Sequence, residues 1–285
     1  MAIKITAPVR IDISGGWPDS DPYRKDFGGI VLNAAINMRV SAYFDGYLKT
    51  DPCNVPPHSG LGTSGALRAV EIAASNQELL EDKLELIKKV HKFENEIINH
   101  RAGFQDQAAA IYGGMKLWEF RKNGAIKYSP IPIEKANLLE QRIVLIYTGE
   151  EHLSGNIHDL VFGAGNYKRN IPRFDRMKEI AGIMADNLVN WKLMGELITE
   201  TWDLQRSLHE SIETDCMRTI QKFAKGLYDG ARATGAGGGG CMIFYTNNKK
   251  NLIEKFESAK KELPQIRIIN FKLDYEGIKL EEKFM

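Results

Sequence analysis

The chain has 285 residues, 43% hydrophobic and 26% charged, which suffices to bury a large core in one big domain or two lobes. Its 38 basic and 37 acidic side chains leave a formal net charge of +1, so the balance favours neither nucleic acid nor an anionic membrane as partner, while local anion binding stays open. Residues 1–10 lack an apolar signal core, no apolar run is long enough to span a bilayer, and Cys53, Cys216 and Cys241 lie far apart with no Cys-x-x-Cys pair; the expectation is a cytoplasmic protein with reduced thiols and no cysteine zinc site.

Residues 3–14 alternate as a strand, with Ile3, Ile5, Val9, Ile11 and Ile13 on one face and Arg10 and Asp12 on the other. The strand runs into Gly15-Gly16-Trp17-Pro18-Asp19, where Asp19 is either a plain turn former or, with Trp17, a group that meets a polyol by hydrogen bonding and stacking. Apolar runs over 30–36 and 39–44 predict two further strands. Then comes Ser59-Gly60-Leu61-Gly62-Thr63-Ser64-Gly65-Ala66, three glycines that let backbone N–H groups approach a ligand, followed by a run of helix formers with Leu67, Val70 and Ala74 on one face. A glycine loop opening a helix points unpaired N–H groups at an anion. The literal match to a dinucleotide fingerprint lacks the apolar strand that should precede it, and no Gly-Lys-Ser/Thr follows to make a Walker A loop.

A second helical pattern spans 81–99, with Leu84, Ile87, Val90 and Ile97 on one face and Glu94 among them. A carboxylate there either reaches water at the edge of the face or is compensated by a cation. Asp106, between Gln105 and Gln107, is either a helix N-cap or a carboxylate beside a transferring phosphoryl group. Residues 115–120 and 124–128 predict a hairpin and 142–147 a buried strand, after which 167–230 is helical in pattern. None of the histidines has metal-ligand spacing. The run from Gly235 to Gly240 holds five glycines in six positions ahead of a strand at 241–245, a helix near 248–262 and a strand at 266–271. Glycine costs about 0.5–1 kcal/mol per position relative to alanine in ordered structure, so the run is expected to pack backbone tightly against a ligand or the opposite lobe.

With these stretches in hand, the chain resembles the GHMP kinase superfamily nearly end to end. The family carries Pro-x-Arg near its start, a phosphate loop Pro-x-x-x-Gly-Leu-Gly-Ser-Ser-Ala and a late Gly-Ala-Gly-Gly-Gly-Gly; here these are Pro8-Val-Arg10, Pro57 to Ala66 and Gly235 to Gly240. The resemblance implies an α+β fold of two lobes: a strand-rich N-terminal lobe over 1–148, and a helix-rich C-terminal lobe over 149–285 with a β-α-β unit. It implies ATP and Mg²⁺ as cofactors and phosphorylation of a sugar or sugar phosphate at its anomeric hydroxyl. Pro57, Ser59, Gly60, Leu61, Gly62, Thr63, Ser64 and Gly65 would hold the nucleotide, with Thr63 and Glu94 on the metal. Asp106 falls on the catalytic aspartate and Arg10 on the arginine that holds and polarises it, while Trp17, Asp19 and Gly237, Gly238 and Gly239 fall beside the substrate.

Two departures from the family pattern refine this. Gly16-Trp17 replaces the galactokinase Glu-His pair, and the turn resembles the fucokinase version; residues 105–114 and 147–149 resemble the heptose 7-phosphate kinase branch. Gly65 stands where serine or alanine is usual, which is expected to loosen the helix start slightly and leave the chemistry intact. A substrate that already bears a phosphate needs a basic pocket, for which Arg24, Lys25, Arg101 and Arg232 are candidates. Open alternatives are a non-sugar acceptor such as mevalonate or homoserine, and a ligand-binding protein without turnover. Neither nucleic acid nor membrane is an expected partner, and a homodimer is left open.

Overall fold

The alternating N-terminal segment forms a long strand, β1 (Ala2–Ser14), whose isoleucines enter the core while Arg10 and Asp12 face the other way. A computed structural model describes residues 2–284 except 57, 100, 152, 153 and 164. After β1 come α1 (Tyr23–Phe27), β2 (Gly29–Phe44) and β3 (Leu48–Asp51), then α2 (Thr63–Ser75), α3 (Lys83–Lys92), α4 (Gln105–Tyr112), β4 (Met115–Phe120), β5 (Ile126–Pro130), α5 (Ile133–Glu140) and β6 (Ile143–Tyr147). The remainder is α6 (Ser154–Phe162), α7 (Asn166–Asp186), α8 (Trp191–Arg206), α9 (Asp215–Phe223), β7 (Gly230–Ala233), β8 (Cys241–Tyr245), α10 (Lys249–Ser258), β9 (Arg267–Ile269) and β10 (Lys279–Phe284). No helix among the described residues is long and apolar enough to cross a membrane.

Among the described residues two antiparallel sheets result: one in the order β10-β1-β2-β4-β5 with β3 on β2, the other β7-β8-β6-β9. Because β8 and β9 both run antiparallel to β6, α10 crosses between two mutually parallel strands, and this is the expected β-α-β unit. The lobe boundary expected after residue 148 falls one residue past β6, an inner strand of the second sheet, and β10 returns to pair with β1. Each sheet therefore draws strands from both sides of that position.

Two local readings need correction. The strands expected over 30–36 and 39–44 are one strand, β2, in which Asn37 and Met38 bulge out of the ladder where its partner changes from Pro8 to Val9. Proline offers no N–H to the ladder, and the register shifts there. In the second helical pattern, Leu84 and Ile97 are exposed while Leu86, Ile87, Val90 and Glu94 are buried, and α3 ends in a π-helical turn over Phe93–Ile97. The wider turn changes the phase of the face, keeping Glu94 inside and turning Ile97 out.

Candidate active site

The glycine loop lies between the two sheets, and its conformation explains its composition. Gly60 and Gly62 have positive φ, and Gly62 caps α2 without any side-chain cap. The amides of Thr63, Ser64 and Gly65 form the first turn of a thirteen-residue helix, so none has an intrahelical acceptor. The loop is fastened on both sides: the Arg10 amide donates to the Leu61 carbonyl at 2.9 Å, and the Cys241 amide donates to the Ser59 carbonyl at 2.8 Å. The late glycine run supplies the second fastening. A Cβ on Gly60 would lie 2.4 Å from the Thr234 carbonyl oxygen, and one on Gly235 would lie 2.7 Å from that of Gly60. Backbone meets backbone here, which only residues without side chains allow.

Arg10 and Asp106 meet beside this loop. Arg10 Nε and Nη2 approach Asp106 Oδ1 at 2.9 and 2.7 Å, and Nη1 donates to the Gly60 carbonyl. The Arg10 side chain is 4% exposed and that of Asp106 31%, so the carboxylate is gripped from behind and open in front. Gly65 is part of this arrangement rather than a weak helix start: a Cβ there would lie 2.7 Å from Asp106 Cβ and 3.1 Å from the Gln107 amide nitrogen. Its absence lets α4 seat Asp106 against α2.

Glu94 is 2% exposed and forms no ion pair among the described residues. Burial, reinforced by the charge of Asp106, pushes its carboxyl up to about 7. The hydroxyl that reaches it is that of Ser64, donating to Oε1 at 3.0 Å, whereas Thr63 Oγ1 is buried with no partner among the described residues. Both belong to side chains lining one cavity of about 470 Å³, together with Arg10, Asp106 and Glu94.

Asp19 lines the same cavity and is fully buried, its Oδ2 accepting from the amides of Phe104 and Gln105 at 2.8 and 2.9 Å. Its Oδ1 has no partner among the described residues, and burial raises its carboxyl to about 7 against the pull of those two amides. Trp17 does not join it: the ring is fully buried, packed on His158 and Phe162 in the second core, and does not line the cavity. Gly237, Gly238 and Gly239 also lie elsewhere, closing against Ile212, Ile157 and the carbonyls of Glu150 and Glu151, while Gly235 and Ala236 line the cavity. Ser59, Gly60, Gly62, Thr63 and Ser64 line it; Leu61 is core, Gly65 faces Asp106, and Pro57 lies outside the described residues.

Among the lining groups that sequence reasoning passed over are Arg68, Ser20 and Gln105. Arg68 stands one helical turn beyond Ser64 on α2, a spacing that pointed to it. It pairs with Glu71 and lies over Phe93, with Nε unpartnered among the described residues. Of the four basic candidates, Arg101 alone lines the cavity. Arg24 and Lys25 pair with Asp21, and Arg232 is buried in a two-pronged contact with Asp12 at 3.1 and 3.0 Å.

The fold that frames this carboxylate-lined, glycine-looped cavity is that of the GHMP kinases, and the relatives of the chain are named kinases. Residues 32–114 match the GHMP kinases N terminal domain, which the chain therefore carries. The D-glycero-alpha-D-manno-heptose 7-phosphate kinase of Campylobacter jejuni is 25% identical, over 97% of this chain and 98% of the relative. The bifunctional fucokinase/GDP-fucose pyrophosphorylase of Arabidopsis thaliana is 23% identical over 88% of this chain, which spans 30% of that longer protein. In structure, the D-glycero-D-manno-heptose 1-phosphate kinase from Bacteroides thetaiotaomicron superposes with a TM-score of 0.75 at 17% identity, covering 100% of both chains, a likeness of fold.

Proposed function

We propose that the protein transfers the γ-phosphoryl group of ATP to a hydroxyl of a sugar or sugar phosphate, the anomeric hydroxyl being the acceptor. The observation that carries this reading is the Arg10–Asp106 pair, a carboxylate fixed from behind and open to a cavity beside a helix N-terminus. Asp106 takes the proton of the attacking hydroxyl and aims its oxygen, which a side chain already held by two guanidinium nitrogens does without reorganising. The first-turn amides of α2 receive the nucleotide phosphates, and Arg68 adds positive charge at that end. The sugar hydroxyls find an acceptor in Asp19 Oδ1.

A divalent cation fits Glu94: a buried carboxylate with no ion pair among the described residues, bonded to the Ser64 hydroxyl and lining the same cavity as Thr63, is short of positive charge. No cluster of three or more His, Cys, Asp or Glu is present among the described residues, so the rest of the coordination shell would be phosphate and water. When bound, Mg²⁺ supplies charge neutralisation on the phosphate oxygens.

The test is a kinase assay with ATP and Mg²⁺ against free and phosphorylated aldoses, with mevalonate and homoserine as non-sugar acceptors, and the site of transfer read by phosphorus NMR. Transfer to the anomeric oxygen of an aldose is the expected result. Transfer to mevalonate or homoserine alone would overturn the reading.

A further inference from the structure

Beyond the phosphate loop and the helix α2 that it opens, four buried polar atoms without a partner among the described residues belong to side chains that line the cavity: Asp19 Oδ1, Ser20 Oγ, Gln105 Oε1 and Arg101 Nη1. Buried polar atoms left unpaired are costly, and a ligand that supplies their partners resolves the cost. Their chemistry sorts the ligand. Asp19 Oδ1, when ionised, and Gln105 Oε1 accept, so they suit hydroxyl donors; Ser20 can do either; Arg101 Nη1 only donates, and carries charge.

Arg101 belongs to the Asp19 end. Two residues on, Gly103 lies so close to Asp19 that a Cβ would be 2.1 Å from Oδ2. The Arg101 guanidinium sits over Phe162, 5.6 Å from its centroid, and Phe162 packs on Trp17, two residues ahead of Asp19. His158 donates from Nδ1 to the Arg101 carbonyl at 2.7 Å, holding the backbone in place. The acid nearest the guanidinium, Asp159, is 3.9 Å from Nε and 73% exposed, a contact at the limit of an ion pair that water screens. Ser64, Glu94 and Arg68, the residues proposed for the cation and the nucleotide phosphates, belong to α2 and the π-turn.

We infer that the acceptor sugar already carries a phosphate, and that Arg101, with its unpaired Nη1 at the Asp19 end of the cavity, is the seat that receives it and selects the sugar phosphate over the free sugar. This rests on the kinase reading and narrows its substrate class. Guanidinium binds phosphate through paired N–H groups in a plane, which a lysine cannot reproduce.

The experiment compares kcat/KM for matched pairs, hexoses with their 6-phosphates and heptoses with their 7-phosphates, in the wild type, Arg101→Gln and Arg101→Lys. Arg101 is 35% exposed in its side chain, so its replacement leaves no buried void. The wild type should prefer the phosphorylated member, and Arg101→Gln should cut that preference by about tenfold to a hundredfold, mostly through KM, with Arg101→Lys in between. Calorimetry with the preferred sugar phosphate and no nucleotide should show the same loss of affinity. Free sugars turned over as well as their phosphates, or a preference that survives Arg101→Gln, would overturn the inference while sparing the kinase reading. So would an equal fall in kcat for both members, which would put the guanidinium on the transferring group. Transfer to no sugar of either kind would overturn the kinase reading and this inference with it.

Discussion

Arg10 holds Asp106 across 96 residues of sequence, Nε and Nη2 converging on one carboxylate oxygen, Oδ1, at 2.9 and 2.7 Å. With one oxygen occupied, Oδ2 is the atom left for a proton from the acceptor. Asp106→Asn should therefore lower kcat by about 10²–10⁴ while nucleotide affinity persists. Steady-state rates and nucleotide titration check this; activity within a factor of a few of wild type would remove Asp106 from the chemistry.

Glu94 meets the Ser64 hydroxyl at 3.0 Å, and the Thr63 hydroxyl is unpartnered among the described residues, so the two hydroxyls can be told apart. Glu94→Gln should raise the Mg²⁺ concentration needed for half-maximal rate by about tenfold or more. Ser64→Ala and Thr63→Val, titrated the same way, show which hydroxyl serves the cation. An unchanged Mg²⁺ curve for Glu94→Gln would show that the cation sits elsewhere.

Gly65→Ala sets helix propensity against packing. Alanine should favour α2 by about 1 kcal/mol, but its Cβ would overlap Asp106 Cβ, and overpacking costs about 1–3 kcal/mol. The expected outcome is a loss of kcat of about tenfold or more as Asp106 shifts, with stability unchanged or slightly lower. A fully active and more stable variant would show that α4 yields without consequence.

Asp19 makes stability depend on pH in an unusual direction. Burial raises its carboxyl from 3.8 to about 7, so between those values the folded chain holds a proton that the unfolded chain releases. This residue's contribution is therefore best in acid and is lost as pH rises through about 7, a change on the order of 4 kcal/mol at most. Glu94, also raised to about 7, slopes the same way. In denaturant melts from pH 4 to 8 without substrate, Asp19→Asn should flatten the decline by its own share; superimposable pH profiles would count against a buried, protonated Asp19.

Arg232 and Asp12 are 1% and 0% exposed, and Gln205 joins them, accepting from Arg232 Nη2 at 2.9 Å and donating to the Gly235 carbonyl at 2.8 Å. Arg232→Met leaves Asp12 buried and unpaired, at a cost of about 3–5 kcal/mol, and Asp12→Asn added to it should restore part of that. Urea denaturation of both variants checks the coupling. Purely additive losses would mean that the pair does not act as a unit.

Much of the site was legible where chemistry is local. Period-two alternation put Arg10 on the polar face of β1, and spacing from Val90 turned Glu94 inward even though the π-turn moved Ile97 to the surface. The glycine loop announced a helix N-terminus because glycines followed by helix formers allow little else. What stayed hidden depended on distant partners. Whether Trp17 stacks on a ligand or on Phe162 is decided by α6, far along the chain. Gly65 read as a blemish because the atom it accommodates, Asp106 Cβ, sits on another helix. That Ser64 meets Glu94 depends on how α2 is set against the π-turn, which residue type does not encode.

The phosphate loop is bonded to both sheets at once, through Leu61 to β1 and through Ser59 to the start of β8. A seam stitched to both walls does not serve as a hinge. Whatever widens to admit substrates must then belong to the cavity's other borders, while the loop itself stays still as the fixed jaw against which reactants are pressed.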